Sequence, residues 1–281
     1  MSSNIAASIR AKLLNVAKYE KIIFQDLLHR YGAEQFLARL SSSEFLERFI
    51  FKGGSLLAYL VDTERQTKDL DFSIRQISNK VEDTLATIRC ILEMPMEDGL
   101  KWDSPEATPL NHPEMDCPGV RVRCVFRLGT AQGLLRMDLA IGDLVEARKI
   151  PLQRIRYRGQ PLIGPDFVIL AYPAETIFSE KLQIAIKRGI QNTRMKDYYD
   201  LFKLTQLESL DLAAVRRNVE TTFSRRETPV ITAIDFTSET IERLQVYWSG
   251  FIRKAKITDA PAKIEEVIKK VNQTLTRVYQ K

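Results

Sequence analysis

The sequence contains few of the side chains that build zinc centres and nucleophilic catalytic groups. It has two histidines and three cysteines, and no two cysteines are spaced as C-x-x-C. A zinc site cannot be assembled convincingly from so few ligands, and no Ser–His or Cys–His arrangement is evident. Cys90, Cys117 and Cys124 are therefore expected to be reduced structural thiols.

Long apolar runs, internal repeats and low-complexity tracts are also missing from the sequence. No segment has the length and apolar character of a membrane span or of a signal peptide. The N-terminal residues instead have the pattern of an amphipathic helix, with Ile5, Ile9, Leu13 and Val16 on one stripe. We therefore expect a cytoplasmic protein that does not associate with a membrane.

The overall composition is that of a globular protein with a basic surface. The chain has 281 residues, of which 44% are hydrophobic and 28% are charged, values that are ordinary for a folded domain. This length allows one large domain or two modest ones. The net charge of +6 and the pI near 9.1 favour a polyanionic partner over an acidic or neutral one.

The segment from Lys52 to Phe72 carries two motifs that suit one chemistry. A Gly53-Gly54-Ser55 turn is followed, fourteen residues after the serine, by Asp69-x-Asp71. Glycines let the backbone approach a phosphate closely, and a helix starting at the serine adds its positive end. Residues two apart on a strand share a face, so the two carboxylates repel each other unless a cation such as Mg²⁺ binds them. The pattern predicts a site for a nucleoside triphosphate on a divalent metal; the alternative is a turn followed by a strand with surface acids.

These motifs resemble those of the nucleotidyltransferases of the DNA polymerase β superfamily. The fuller pattern resembles one branch, the AbiEii/AbiGii toxin family, which includes the MenT toxins. Two blocks about 110 residues apart carry the resemblance: Lys52-Gly53-Gly54-Ser55 with Arg65-x-Thr67-x-Asp69-x-Asp71, and Ser179-Glu180-Lys181-Leu182 with Arg194-x-Lys196-Asp197-x-x-Asp200-Leu201. The resemblance implies an NTP-dependent transferase that uses Mg²⁺ or Mn²⁺.

The first block supplies the predicted nucleotide and metal ligands. Gly53, Gly54 and Ser55 are expected to hold the terminal phosphates. Asp69 and Asp71 are expected to bind the metal ion.

Asp138 is the candidate third carboxylate. It lies in the apolar strand pattern LLRMDLAIGD, where a buried charge needs a partner or a metal ion. In the superfamily a third carboxylate on a neighbouring strand joins the aspartate pair. The resemblance thus implies that Asp138 helps to bind a second metal ion or takes the proton from the attacking hydroxyl. The alternative is a salt bridge to Arg136 or Arg123, and Asp143 is a second candidate for the role.

Lys181 is the predicted phosphate contact in the second block. It belongs to a helix that begins near Pro173, and a lysine near an apolar face extends its ammonium to the surface or into a pocket. In the toxin family the matching lysine contacts a nucleotide phosphate, and Arg194 is predicted to bind the nucleotide with it. Asp197 and Asp200 share one face of the next helix. One of them, with Asp197 preferred, is expected to orient Lys181 or Arg194; surface i,i+4 pairs such as Lys196 with Asp200 are the alternative.

The periodicity of apolar residues predicts an α+β fold with a small mixed β-sheet flanked by helices, followed by a C-terminal helical bundle. A boundary near Pro173 gives a nucleotidyltransferase core at 1–172 and a helical domain at 173–281 that contributes Lys181 and Asp197 to the site. The core is predicted to contain N-terminal helices with a break at Gly32, and an irregular connection over 95–118. The other predicted elements are helices at 78–94, 174–189, 195–205, 211–222, 237–253 and 261–279, and strands at 69–74, 120–126, 134–141 and 153–157. Residues 49–51 are predicted to be a short buried strand or the end of a helix.

Basic residues cluster after the motifs and indicate an anionic acceptor. Arg154, Arg156 and Arg158 alternate on a predicted strand, so they are expected to form a phosphate track on one face. Lys187 and Arg188 are further candidates for RNA binding, although no RNA-binding module motif occurs. What the resemblance implies is more specific: transfer of nucleotides to the 3′ end of tRNA, a consequent block of translation, and control by a cognate antitoxin protein.

Other acceptors remain open at this stage. Antibiotic nucleotidyltransferases use the same Gly-Ser and Asp-x-Asp chemistry on aminoglycosides, but a polycationic substrate needs an acidic pocket, and the net charge here is positive. AMPylation of a protein is a second variant. A non-catalytic nucleotide or RNA binder is a third possibility, which the presence of all expected catalytic residues disfavours.

Overall fold

The computed structural model describes residues 2–61, 63–64, 67–77, 80–110, 119–141 and 146–280. The chain divides into two compact units. Unit 1 comprises Met1–Leu56 and Thr67–Tyr172, and unit 2 comprises Leu57–Gln66 and Pro173–Lys281. The predicted boundary near Pro173 assigns Leu57–Gln66 to the first domain, whereas this segment belongs to unit 2.

Unit 1 is built on a mixed sheet with helices α1, α2 and α4. Its helices are α1 (Ser2–Tyr19), α2 (Phe24–Ser41), the first turn of α3 (Gly53–Leu60) and α4 (Val81–Glu93). Its strands are β1 (Phe49–Lys52), β2 (Asp69–Ile74), β3 (Leu100–Trp102), β4 (Glu106–Leu110), β5 (Gly119–Leu128), β6 (Ala131–Ile141), β7 (Arg148–Leu152), β8 (Arg156–Tyr157), β9 (Gln160–Pro161) and β10 (Phe167–Ala171).

The order of strands in the main sheet is β3-β5-β6-β2-β1-β10-β7, with β4 also paired to β5. The pairs β2–β6 and β1–β10 are parallel, and the other pairs of this sheet are antiparallel. Because β2 and β6 run in parallel, Asp71 is the Cα partner of Asp138, and both side chains project from the same face. The predicted α+β class with a small mixed sheet is confirmed.

Aromatic packing fills the opposite, apolar face of the sheet. The ring of Phe72 lies 5.3 Å from that of Phe51 and 6.1 Å from that of Phe36, so α2 packs on this face. Helix α2 runs without interruption through Gly32, where an added Cβ would lie 2.4 Å from the Phe126 ring. The predicted break at Gly32 is wrong, because the glycine admits an aromatic ring rather than ending a helix.

The middle of unit 1 departs furthest from the sequence-based expectation. The connection over 95–118 contains β3 and β4, so its first part is not irregular, and 111–118 lies outside the described residues. The strand predicted at 153–157 is reduced to β8, Arg156–Tyr157, because β7 ends at Leu152 and residues 153–155 are not in a strand. Strand β10 was not predicted. Strand β10 is a continuous apolar run, and Pro109 in β4 and Pro151 in β7 interrupt the alternation that marks a strand.

Unit 2 is helical. Its helices are the rest of α3, then α5 (Ala174–Arg188), α6 (Met195–Leu204), α7 (Leu212–Arg225), α8 (Ser238–Ala255) and α9 (Ile264–Tyr279). Local signals account for two helix starts: the Asp211 carboxylate accepts hydrogen bonds from the first backbone N–H groups of α7, and the Thr237 hydroxyl caps α8. Within the described residues, none of the helices combines the length and apolar character that crossing a membrane requires.

Candidate active site

Gly53 brings the backbone close to the aspartate pair. It follows β1 directly, opens α3 and has φ of +76°, a conformation that L-residues rarely adopt. A Cβ at this position would lie 2.2 Å from Oδ2 of Asp71. The Asp71 carboxylate can therefore take this position only because residue 53 is glycine. Helix α3 begins at Gly53, two residues before the predicted start at Ser55.

Gly54 and Ser55 occupy the first turn of α3. The Ser55 hydroxyl is buried, and Oγ has no hydrogen-bond partner among the described residues. An unsatisfied buried hydroxyl costs free energy. Together with the free N–H groups of a helix start, it marks this turn as a place where an acceptor oxygen can bind.

Three carboxylates share one face of the central strands. In one row across the sheet, Lys52 is the Cα partner of Asp71, Asp71 of Asp138, and Asp138 of Arg121. Asp69 lies one row further along β2, opposite Arg136. Register thus brings the predicted residues Asp69, Asp71 and Asp138 to one face, and it adds basic residues on both sides of the acids.

Asp138 is held by an arginine. Arg121 donates from Nε to Oδ1 at 2.8 Å and from Nη2 to Oδ2 at 2.7 Å, a bidentate pair. This hydrogen bond to Asp138 raises the pKa of Arg121. The alternative prediction of a salt bridge is right, but its partner is Arg121 and not Arg136 or Arg123. Arg136 instead lies 3.8 Å from Oδ1 of Asp69. The second candidate, Asp143, lies outside the described residues.

A divalent cation fits the aspartate pair better than it fits all three acids. Among the described residues, no group of three or more His, Cys, Asp or Glu side chains is arranged to hold a metal ion. Both oxygens of Asp138 are engaged by Arg121. In contrast, Oδ1 of Asp69 accepts no hydrogen bond from the described residues, although the Arg136 guanidinium lies 3.8 Å away. The donor set of Asp69 and Asp71 suits a hard cation that also takes phosphate oxygens.

A second charged group lies in unit 2 around Lys181. Its ammonium donates to Oδ1 of Asp197 at 2.9 Å and contacts Oδ2 of Asp200 at 2.6 Å. The Arg194 guanidinium lies 3.0 Å from the other oxygen of Asp197. Asp197 and Asp200 are both buried, so the alternative of exposed i,i+4 pairs is wrong for them. Both aspartates therefore contact Lys181, whereas the prediction preferred Asp197 alone.

The charges of this group depend on one another. Burial alone would lower the pKa of Lys181, but Asp200 and Asp197 outweigh it and raise the pKa. Burial alone would raise the pKa of Asp197, but Lys181 and Arg194 outweigh it and lower the pKa. An ammonium has three N–H donors. The described residues provide acceptors for two of them, which leaves one to donate elsewhere.

The predicted arginine track does not form. Arg154 is buried: its Nη1 donates to Oε1 of Gln35 at 3.1 Å and lies 3.4 Å from Oε1 of Glu34. Arg156 forms an ion pair with Asp166, and Arg158 lies in a turn with φ of +53°. The three arginines therefore share no strand face, and the prediction failed because 153–155 is not strand.

Two further RNA-binding candidates lie at the end of α5. Lys187 is exposed and Arg188 is half-buried, next to the C-cap Gly189. Arg65 and Cys117 lie outside the described residues. Sequence analysis missed Arg121 and Lys52 as members of the carboxylate face. The alternation in VRVRCVF placed Arg121 on a strand, but only strand register pairs it with Asp138.

Comparison with known proteins agrees with the fold and with the family that the sequence resembles. A family model described as "Nucleotidyl transferase AbiEii toxin, Type IV TA system" matches residues 35–271. No curated protein sequence matches the chain. The crystal structure of JHP933 from Helicobacter pylori is similar with a TM-score of 0.52 at 13% identity, covering 91% of this chain and 92% of that one.

A second structure from H. pylori, assigned by inference as a nucleotidyltransferase, has a TM-score of 0.49 at 13% identity. The match covers 92% of this chain and 96% of the H. pylori chain. The likeness to JHP933 shows the fold alone. Since the family model spans most of the sequence, the chain belongs to the AbiEii family of nucleotidyl transferase toxins of type IV toxin–antitoxin systems.

Proposed function

We propose that this protein transfers a nucleoside monophosphate from an NTP to the 3′ end of tRNA and so blocks translation. The observation that carries the proposal is the carboxylate face, where Asp69 and Asp71 lie beside a glycine whose missing side chain makes room for the Asp71 carboxylate. Family membership supports nucleotidyl transfer and a toxin role. The positive net charge favours an anionic acceptor.

Each group has a proposed part in the reaction. Asp69 and Asp71 would hold Mg²⁺ or Mn²⁺, which when bound neutralises the triphosphate and the charge that develops on pyrophosphate. The first turn of α3, with Gly53, Gly54 and Ser55, would bind the terminal phosphates through its N–H groups and the Ser55 hydroxyl.

Lys181 would donate its third N–H to a phosphate oxygen in the same reaction, with Asp197 and Asp200 orienting the ammonium. Arg194 would support Asp197 and the nucleotide. Both oxygens of Asp138 accept from Arg121. Each of these oxygens keeps a second lone pair, with which Asp138 would take the proton of the attacking hydroxyl or join the metal site.

The family assignment also bears on control of the protein. Type IV toxin–antitoxin membership supports a cognate antitoxin protein as the regulatory partner. We place the activity in the cytoplasm because tRNA is charged and used there.

The test is transfer of label to RNA. Purified protein is incubated with total tRNA, Mg²⁺ and each α-labelled NTP in turn, and products are separated on a denaturing gel. We expect labelled tRNA with at least one NTP, and none with Asp71→Asn. The control is Asp103→Asn, which removes an exposed carboxylate of unit 1 that pairs with Arg127, near the end of β5 and away from the aspartates.

Two outcomes would contradict the proposal. Label on an aminoglycoside or on a protein, with none on tRNA, moves the activity to another acceptor. Nucleotide binding without release of pyrophosphate for any acceptor leaves a binder rather than a transferase.

A further inference from the structure

The carboxylate face also carries arginines that the proposed chemistry leaves unused. One row across the sheet pairs Asp69 with Arg136, Arg136 with Arg123, and Arg123 with Glu106 as successive Cα partners. Arg123 and Arg136 therefore lie directly opposite each other on β5 and β6. Their side chains project from the face that carries Asp71 and Asp138.

This placement is unfavourable in the protein by itself. Like charges directly opposite on antiparallel strands destabilise a sheet. Arg123 is exposed, and no hydrogen bond or ion pair to it is found among the described residues, although Glu106 is its Cα partner. In the part of the chain that the structure describes, the acid nearest to Arg136 is Asp69, at 3.8 Å, beyond hydrogen-bond distance. Two guanidinium groups thus hold unused donors side by side.

An anion between the two arginines would remove the repulsion and use those donors. Guanidinium groups bind phosphate oxygens through two parallel N–H donors. The same row ends at the aspartate pair: strands lie about 4.8 Å apart, so Arg123 is about 10 Å from Asp69 between Cα atoms. A bound phosphate at this distance would lie about one nucleotide from the reacting centre.

The position of the arginines relative to Gly53 indicates which phosphate binds. Gly53 adjoins β2 from the β1 side, whereas Arg136 and Arg123 lie on β6 and β5, on the other side of the aspartates. In phosphoryl transfer the attacking and leaving oxygens are roughly in line, on opposite sides of the phosphorus. If the triphosphate tail occupies the Gly53 side, the attacking strand must enter from the side of β5 and β6.

We propose that Arg123 and Arg136 form a subsite for a phosphodiester of the acceptor RNA, next to its terminal hydroxyl. The subsite rests on the proposed function, because it assigns the acceptor side of that reaction. Arg123 contributes an exposed guanidinium for which the described residues supply no hydrogen-bond or ion-pair partner. Arg136 contributes one that also faces Asp69, so it links the acceptor subsite to the aspartate pair.

Binding measurements on the full chain test the subsite. The variants are Arg123→Gln and Arg136→Gln, and the matched control is Arg127→Gln, on the same strand and face but paired with Asp103. One probe is a 5′-fluorescein single-stranded RNA ending in CCA, followed by anisotropy. The other probes are the four α,β-methylene NTP analogues with Mg²⁺, followed by calorimetry.

We expect RNA affinity to fall by about tenfold in each subsite variant, as for a lost charge-assisted hydrogen bond. The slope of log affinity against log salt should fall by about 0.7, the value for one phosphate contact on a single strand. Analogue affinity should stay at the control level, and Arg123→Lys should recover part of the RNA affinity. Arg123→Gln should melt no lower than the wild type, because a repulsive pair is removed.

The outcomes separate the two proposals. Equal RNA affinity in the subsite variants and in Arg127→Gln overturns the subsite. A loss of analogue affinity with unchanged RNA affinity assigns the arginines to the nucleotide and also overturns it. If the wild type binds RNA through these arginines but transfers no nucleotide, the proposed function fails while the subsite stands.

Discussion

Gly53 and Asp71 constrain each other at the scale of single residues. The backbone at Gly53 takes φ of +76°, and the space that a Cβ would fill is occupied by Oδ2 of Asp71. The carboxylate can therefore keep its position only beside a residue without a side chain. Lys52 precedes the glycine and lies opposite Asp71 on β1, so one short segment sets both the space and the charge around this acid.

Gly53→Ala should abolish nucleotide transfer, because the methyl group displaces the Asp71 carboxylate. The left-handed backbone adds a loss of stability of about 1–2 kcal/mol. Gly159→Ala is the matched control: φ is +79°, but nothing lies within 4 Å of an added Cβ. Labelled-tRNA yield and thermal melting are measured for both. Full transfer by Gly53→Ala would contradict the role given to this contact.

The β5–β6 hairpin is the element that places arginines beside the acids. Its strands are joined by Gly129 and Thr130, and register then fixes Arg121 opposite Asp138 and Arg123 opposite Arg136. A shift of one residue in this register would turn Arg121 and Arg123 to the apolar face. Phe126, packed against Gly32 of α2, opposes such a shift.

Arg121→Gln should make stability more dependent on a divalent cation. The change leaves Asp71 and Asp138 as neighbouring carboxylates without the bidentate arginine, so a bound cation has more repulsion to remove. The ion pair is partly exposed, so its own loss costs only about 0–1 kcal/mol. We expect Mg²⁺ to raise the melting temperature, relative to EDTA, more in Arg121→Gln than in the wild type.

The control for this measurement is Arg127→Gln, which breaks the exposed Arg127–Asp103 pair on the same strand. It should show the wild-type response to Mg²⁺. An equal response in Arg121→Gln would mean that Arg121 does not neutralise the carboxylate face.

At the scale of the whole molecule, each unit is built from two separate segments of the chain. Leu57–Gln66 belongs to unit 2, although Ser55 before it and Asp69 after it belong to unit 1. Within unit 2, the Glu64 backbone N–H donates to the Tyr199 hydroxyl at 3.1 Å. The Glu64 carboxylate accepts from the Thr258 hydroxyl at 2.7 Å, and the hydrogen bonds from Thr258 lower the pKa of Glu64. The Gly-Ser motif and the aspartate pair are thus connected by a segment that forms hydrogen bonds with α6 and with the connection between α8 and α9.

Lys181→Met should destabilise the protein by roughly 3–5 kcal/mol at pH 7, because two buried carboxylates lose the ammonium that they share, while Arg194 stays beside Asp197. In the wild type the pKa of Asp197 is lowered from its ordinary 3.8. The contribution of the charged Asp197 to the free energy of unfolding is therefore complete above pH 3.8 and is lost as pH falls through the folded pKa. In the variant, the pKa of Asp197 rises, because burial is no longer opposed by Lys181. The difference in unfolding free energy should therefore shrink between pH 7 and about pH 4.5.

Urea denaturation of both proteins at the two pH values measures this difference. The control is Lys203→Met, whose partner Asp259 is partly exposed and is also bonded to Tyr199. Its destabilisation should be smaller and should change less with pH. A constant or growing difference for Lys181→Met would show that the aspartates do not depend on Lys181 for their charge.

Much of the fold could be predicted from local patterns. The strand Asp69–Ile74 follows from periodicity, and the boundaries of α5 to α9 follow to within three residues. Two of those helices carry capping residues in the sequence. Short proline-containing strands such as β4 and β7 could not be predicted, because their residues lack alternation and they pair only with distant strands.

The sequence by itself determined which chemical groups are present: a Gly-Ser turn, an aspartate pair, a third acid and a lysine block, with too few histidines for a zinc site. Only the tertiary structure decided which charges meet. It paired Asp138 with Arg121, set Lys181 between Asp197 and Asp200, and buried Arg154 beside Glu34. The physical reason is that spacing along the chain sets the face on which a side chain lies, whereas contacts between strands and helices depend on register and packing between segments far apart in sequence.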